Sequence, residues 1–272
     1  MAEQPRLDQR TFQKFCELIY NLAGIKLGAQ KNALVSARIG KRMRILGLND
    51  YKEYYNLVKD DRTGEEIVEL LNAISTNVTH FFREEQHFRI LDQLLKEWEA
   101  QGQRTFRIWC AAASTGEEPY SIAITIKEAL RDSSETKILA TDISTKALNI
   151  AREGLYKKRN VQRIPASILQ KYFTKETVQG EVNYRAVSSL KKMLTFARLN
   201  LANPPFPMHG PFDVIFCRNV MIYFDNEVRR RLLAECYRLT KQGGYLIVGH
   251  AESLSGMLSN FKSVEPSVYI KS

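Results

Sequence analysis

The sequence predicts an α/β fold: a doubly wound, Rossmann-like sheet, preceded by an all-helical domain and interrupted by a small inserted β-subdomain. Three observations predict it. Residues 1–76 carry their apolar side chains at helical spacing. From about residue 105, short apolar runs alternate with helical patterns, as a mostly parallel sheet requires. Between 156 and 192 that alternation breaks into a basic, polar stretch. The expected division is a helical domain over 1–76, a linker and helix over 77–104, and a sheet domain over 105–272 with the insert at about 156–192.

Taken in order, Asp8 can cap a helix whose apolar face is Phe12, Phe15, Ile19 and Leu22, and Gly24 ends it. A second helix is expected from about Lys31 to Leu46, stopped by Gly47, and a shorter one around Tyr51–Lys59. Thr63-Gly64-Glu65-Glu66 has the form of a capping box opening a helix through Leu71. Ser75–Thr79 reads as a polar link, followed by a long helix from about Glu84 to Ala100. Strands are then expected at 105–110, Lys137–Thr141, Met193–Leu199, Phe212–Cys217 and Tyr245–Gly249, with Val268–Lys271 as a last edge strand. The intervening helices are placed at 118–131, Thr145–Arg152 and Asn226–Thr240. Within the insert, a short helix at Ala166–Tyr172 and polar strands around Val182–Val187 are expected.

Composition narrows the class. The chain has 272 residues, 44% of them hydrophobic, enough for one or two domains with cores of their own. It has no run of roughly 18 apolar residues, so no membrane span is expected. The start, MAEQPRLDQRTF, lacks an apolar signal core and carries Asp8, which points to the cytoplasm. Cys16, Cys110, Cys217 and Cys236 are scattered without a CxxC pair, and His80, His87, His209 and His250 fall in no ligand spacing; neither disulfides nor a metal are expected. The net charge of +10 invites a nucleic-acid reading. Its distribution argues otherwise: residues 1–76 hold twelve Lys/Arg against ten Asp/Glu, whereas Tyr156–Lys192 hold nine against two. One short basic segment suits an acidic partner without demanding a polymer of phosphates. In the second helix, Lys31, Arg38 and Arg42 fall within about 40° of one another at 100° per residue, either a solvated basic face or a docking stripe for an acidic helix.

The stretch FRIWCAAASTGEEPYSIAI (106–124) carries the chemistry. A buried strand runs into small residues and then into a helix start, the outline of a nucleotide-binding turn. A phosphate cradle wants N–H groups and often a cation, yet this turn carries Glu117 and Glu118. Both acids favour the helix dipole. They also suit a cofactor that has an adenosine, no phosphate and a positive charge, and S-adenosylmethionine meets that description. Asp142 ends the second strand 26 positions after Gly116, where a carboxylate accepts from ribose hydroxyls.

Longer blocks carry a resemblance: STNVTHFFRE (75–84), WCAAASTGEEPYSIA (109–123), ATDIS (140–144), FDVIFCRNVMIYFD (212–225), KQGGYL (241–246) and VGHAESL (248–254). Along nearly its whole length the chain resembles the chemotaxis receptor methyltransferase (CheR) family. The resemblance implies a protein-glutamate O-methyltransferase acting on acidic cytoplasmic helices of chemoreceptors, with a methyltransferase sheet. It implies S-adenosylmethionine contacts at Asn77, Thr79, Arg83, Glu117, Asp142, Asn200, Leu201, Arg218 and Asn219, with Arg83 and Tyr223 facing the reacting groups. A monomer is expected.

A glutamate acceptor is ionised at neutral pH and needs no general base. Alignment should then supply most of the rate, about 7–11 kcal/mol. A tight clamp by Arg83 on the acceptor would stabilise the ground state, so Arg83 is expected on the cofactor tail or holding the acceptor loosely, and Tyr223 is expected to shape the methyl channel. Two other readings compete. Asn203-Pro204-Pro205-Phe206 is similar to the NPP-aromatic motif of amino-group methyltransferases, whose aromatic stacks on a flipped base. Here it precedes the strand Phe212–Cys217 rather than following it, which suits a rigid loop. A receptor-binding adaptor with a dead cofactor site is the other reading, and the intact acidic turn, Asp142, Asn77 and Thr79 speak against it. In some members of the family a glycine-rich loop in the insert docks a receptor tether; residues 174–189 have only Gly180, so that docking is not carried over.

Overall fold

The computed structural model describes residues 6–252, 254, 257 and 260–272; Ser253 of the VGHAESL block lies outside them. The N-terminal helices are α1 (Gln9–Ala23), α2 (Asn32–Leu46), α3 (Tyr51–Lys59) and α4 (Glu65–Ile74). Asp8 caps α1 by accepting from the Thr11 N–H at 2.9 Å, and Gly24 ends it in the left-handed region at φ 67°. Phe12, Phe15 and Ile19 of α1 pack with Val35, Ile39 and Met43 of α2, Tyr54 and Val58 of α3 and Leu70 of α4 in one core. The cap of α4 differs from expectation. Asp61, not Thr63, supplies the main acceptor: its carboxylate takes the N–H groups of Thr63 and Gly64 and, at 2.8 and 3.0 Å, those of Glu66 and Ile67. The Thr63 hydroxyl and these backbone groups hold the Asp61 carboxyl down at about 2. Glu66 is free to pair elsewhere, and α4 runs on to Ile74 rather than stopping at Leu71.

A loop over 75–85 leads to α5 (Gln86–Ala100), which starts two residues later than expected because Phe82 and Glu84 adopt left-handed backbone, at φ 54° and 57°. Then follow β1 (Arg107–Cys110), α6 (Glu117–Ala129), β2 (Lys137–Asp142) and α7 (Thr145–Glu153). The insert comprises β3 (Leu155–Lys157), α8 (Lys158–Val161), α9 (Ala166–Tyr172), β4 (Phe173–Val178), β5 (Glu181–Ala186) and α10 (Ser188–Lys191). The chain ends with β6 (Leu194–Arg198), β7 (Phe212–Cys217), α11 (Asn226–Leu239), β8 (Thr240–Val248), β9 (Phe261–Glu265) and β10 (Val268–Lys271).

Among the described residues the main sheet has the order β6-β2-β1-β7-β8-β10-β9, and the insert forms a separate sheet, β3-β5-β4. β6, β2, β1, β7 and β8 are mutually parallel, and β10 lies antiparallel to β8. Val268–Lys271 is therefore not the edge. β9 is, a strand the sequence reading missed because only Phe261 of its five residues is buried. The strand order reverses between β1 and β7, so the crevice for a ligand opens above the carboxyl ends of those two strands. β7 is buried at all six positions, as a strand covered on both faces must be. Among the described residues no helix is long and apolar enough to cross a membrane.

The insert is built into the sheet domain's core. Tyr156 and Phe173 stack edge-on against Phe81, with ring centroids 4.9 and 5.5 Å away. Gly116, at φ 101°, closes the turn after β1 where a Cβ would lie 2.6 Å from the Tyr156 hydroxyl and 2.9 Å from the Ala151 Cβ. Only glycine fits that turn.

Candidate functional site

The cavity at the switch point is walled by the ends of four strands, by the 75–83 loop and by α2. From β1 comes the turn Ala111–Ser114. From β2 comes Asp142, whose carboxylate accepts from the Ser114 N–H and the Ser144 N–H, each at 2.8 Å. Burial pushes the Asp142 carboxyl up, against those backbone donors. The loop after β6 brings Leu199–Leu201 and the loop after β7 brings Arg218–Val220, Tyr223 and Phe224. Asn77, Thr79 and Arg83 close the cavity from the linker side, and Lys31, Leu34 and Arg38 from the helical domain.

Eleven of the thirteen residues singled out from the sequence thus meet in one cavity: Lys31, Arg38, Asn77, Thr79, Arg83, Asp142, Asn200, Leu201, Arg218, Asn219 and Tyr223. Glu117 and Arg42 do not line it. Glu117 is turned into the base of the insert, 2% exposed, where it accepts from the Thr115 hydroxyl at 2.6 Å. The acid that reaches the cavity wall is its neighbour Glu118. Arg42 is paired with Glu66 through two hydrogen bonds, at 2.9 and 2.5 Å.

Several wall residues are engaged within the chain. The Arg218 guanidinium is buried; it donates to Glu118 at 2.7 Å, to Glu84 at 3.2 Å and to the Arg83 carbonyl. Its Nε has no partner among the described residues. Burial pushes the Glu118 carboxyl up, partly offset by Arg218. Asn219, left-handed at φ 56°, donates its amide to Glu84 at 3.2 Å. Asn200 donates to the Leu22 carbonyl at 2.7 Å and accepts from the Ala202 N–H, so its amide is engaged at both ends and leaves backbone groups to face a ligand. Arg38 donates to the Ile74 carbonyl and, at 3.3 Å, to the Ser75 carbonyl and the Thr76 hydroxyl. Arg83 donates to the Val78 carbonyl at 3.0 Å and stays one-third exposed.

Comparison with known proteins gives the same reading. Residues 77–270 match the family model of the CheR methyltransferase SAM-binding domain, and residues 10–75 match that of the CheR methyltransferase all-alpha domain. The chain belongs to the CheR methyltransferase family. It is similar to the chemotaxis protein methyltransferase of Salmonella typhimurium, 38% identical over 270 residues that cover 99% of this chain and 92% of the relative. The corresponding protein of Escherichia coli is also 38% identical over 270 residues, covering 99% and 93%. Chemotaxis protein methyltransferase 2 of Pseudomonas aeruginosa is 40% identical over 259 residues, covering 95% and 91%.

In this CheR methyltransferase the SAM-binding domain, residues 77–270, supplies most of the cavity wall, and two features of its surroundings were not legible in sequence. Glu84, His87 and His250 come together, with ligand atoms within 4.8 Å of one another, although the two histidines are 163 positions apart. The Arg218 guanidinium 3.2 Å from Glu84 opposes a dication there, and burial first, then Arg218, lowers His87 to about 4, which keeps it neutral. Phe206 of the NPPF loop is buried and packs edge-on against Trp109, ring centroids 5.7 Å apart, so it cannot stack on a base without leaving the core.

Proposed function

We propose that this chain methylates specific glutamate side chains on the acidic cytoplasmic helices of chemoreceptors, giving methyl esters. The observation that carries the reading is the make-up of the cavity: the carboxyl ends of the strands supply Asp142 and the acidic turn, suited to a cationic nucleoside cofactor, and the helical domain adds Lys31 and Arg38, which can face an acidic acceptor. S-adenosylmethionine, when bound, supplies the electrophilic methyl group. Asp142 suits its ribose, and Asn77 and Thr79 reach in from the linker. The Arg218 Nε, without a partner among the described residues, and the one-third-exposed Arg83 offer donors to the cofactor's carboxylate tail. With Arg83 tied to Val78, the acceptor is held loosely, which keeps a carboxylate nucleophile reactive. Tyr223 borders the transfer end. Val78, 77% exposed, and Leu34 give the mouth an apolar rim that an acceptor helix would cover, removing water from a reaction that cancels charge. Lys31 has no side-chain partner among the described residues and is the member of the basic stripe best placed to meet an acidic helix. The protein works as a monomer in the cytoplasm, on receptors rather than nucleic acid.

Calorimetric titration tests the cofactor half of this reading. S-adenosylhomocysteine should bind one-to-one and adenosine diphosphate should not. Tight binding of the diphosphate would refute the charge argument.

A further inference from the structure

Tyr223 sits in a turn with little structure of its own. Between β7 and α11 the chain makes only a single 3-10 turn, Met221–Tyr223, after the left-handed Asn219. Such a segment keeps one geometry only if something outside it holds it. Groups outside it do: Glu252, the end of α1 and, from α11, the Arg229 guanidinium, which donates to the Met221 carbonyl at 2.8 Å.

On one side is Glu252, in the loop after β8. Its carboxylate is 5% exposed and accepts three backbone N–H groups, those of Asn219 at 2.6 Å, Gly249 at 2.7 Å and Met221 at 2.7 Å. Gly249 is confined by this clasp: a Cβ there would lie 2.5 Å from the Asn219 amide. On the other side is the end of α1. The Lys26 N–H donates to the Tyr223 carbonyl at 2.8 Å, and the Tyr20 hydroxyl donates to Asp225 at 2.6 Å. The same turn of α1 is seated on the loop after β6, where Asn200 holds the Leu22 carbonyl and a Cβ on Gly24 would meet Ala202 at 2.6 Å. Neither Tyr20 nor Glu252 lines the cavity.

We propose that Tyr20 and Glu252 are positioning residues that clamp the 219–225 turn and so place Tyr223 at the methyl-transfer end. The helical domain then takes part in the chemistry's geometry, beyond any part it has in docking the receptor. The proposal rests on the reading of Tyr223 given above. Because a misplacement of about 1 Å can cost on the order of a hundredfold in rate, a clamp outside the cavity can matter as much as a group inside it.

The test uses Tyr20→Phe and Glu252→Gln in the full chain, alone and combined with Tyr223→Ala. Each single variant should lower kcat by about tenfold or more while S-adenosylhomocysteine affinity stays within about twofold. In the Tyr223→Ala background each should cost little further, because the group it places is gone. Parallel losses of affinity and kcat, or costs that multiply undiminished in that background, would overturn the proposal and leave both residues merely structural. Should Glu252→Gln fail to fold, Tyr20→Phe, which removes one hydroxyl at the protein surface, carries the test alone. An unchanged kcat in Tyr223→Ala itself would overturn the reading of Tyr223, and the clamp with it, while leaving cofactor binding and receptor methylation standing.

Discussion

Arg218 and Glu118, 100 residues apart in the chain, meet at 2.7 Å with both side chains shut away from water. The same guanidinium reaches Glu84 and the Arg83 carbonyl, so one cation ties β7, α6 and the linker loop together. Breaking such a pair on one side leaves buried carboxylates uncompensated, which costs about 3–5 kcal/mol. Arg218→Leu should therefore lower the thermal unfolding midpoint by roughly 10 °C. Adding Glu118→Gln should recover part of the loss, because the second change removes the stranded charge. A midpoint unchanged by Arg218→Leu would show that the pair is not what joins these elements.

Asp142 has two duties. It accepts from the Ser114 N–H, which holds the Ala111–Ser114 turn, and from the Ser144 N–H ahead of α7, and it lines the cavity. Asp142→Asn keeps the size and one acceptor oxygen. It should weaken S-adenosylhomocysteine about 10–100-fold, the value of one or two charged hydrogen bonds, measurable by calorimetry. Glu117→Gln, whose carboxylate is turned away under Thr115, should weaken it far less.

His87 gives the fold an acid-side slope. Burial, reinforced by Arg218, holds its folded value at about 4 against an ordinary 6.5. The unfolded chain takes up a proton as the pH falls through 6.5, and the folded chain does not until about 4. Stability should fall across that window by roughly 3 kcal/mol from this group and then level off for it. Urea unfolding of wild type and His87→Gln between pH 7 and 4 should show a shallower slope in the variant. Parallel slopes would show that His87 is protonated in the folded protein.

The basic stripe of α2 should divide when its members are reversed one at a time. Arg42→Glu breaks the pairing with Glu66 and should lower the unfolding midpoint. Lys31→Glu should leave the midpoint unchanged, raise KM for a receptor fragment and flatten its salt dependence. No change in KM or in salt dependence for Lys31→Glu would remove α2 from the docking surface.

These particulars show where sequence reasoning reaches and where it stops. Helix α1, with Asp8 at one end and Gly24 at the other, was legible because caps and apolar spacing are local signals. The strand-turn-helix around Gly116 and the carboxylate of Asp142 were legible because their spacing follows from the sheet. The choice between Glu117 and Glu118 was not. Adjacent residues at a helix start point about 100° apart, and the partners that decide the matter are Thr115 beside one and Arg218, far along the chain, beside the other. The cap of α4 misled for a related reason. Thr63 and Glu66 have capping-box spacing, but Glu66 is drawn off by Arg42 and Asp61 takes over. Asn200 and Asn219 reached the cavity as expected, but distant partners had already claimed their amides. Strand β9 gave no signal, since an edge strand with one buried residue carries little hydrophobic pattern.

The most direct measurement supplies methyl-labelled S-adenosylmethionine together with two acceptors, a chemoreceptor cytoplasmic fragment and bulk nucleic acid. The products are treated with mild base and volatile methanol is counted. The account predicts label on the receptor fragment, released as methanol because carboxyl esters are base-labile. Base-stable label on nucleic acid, with none on the receptor, would contradict it.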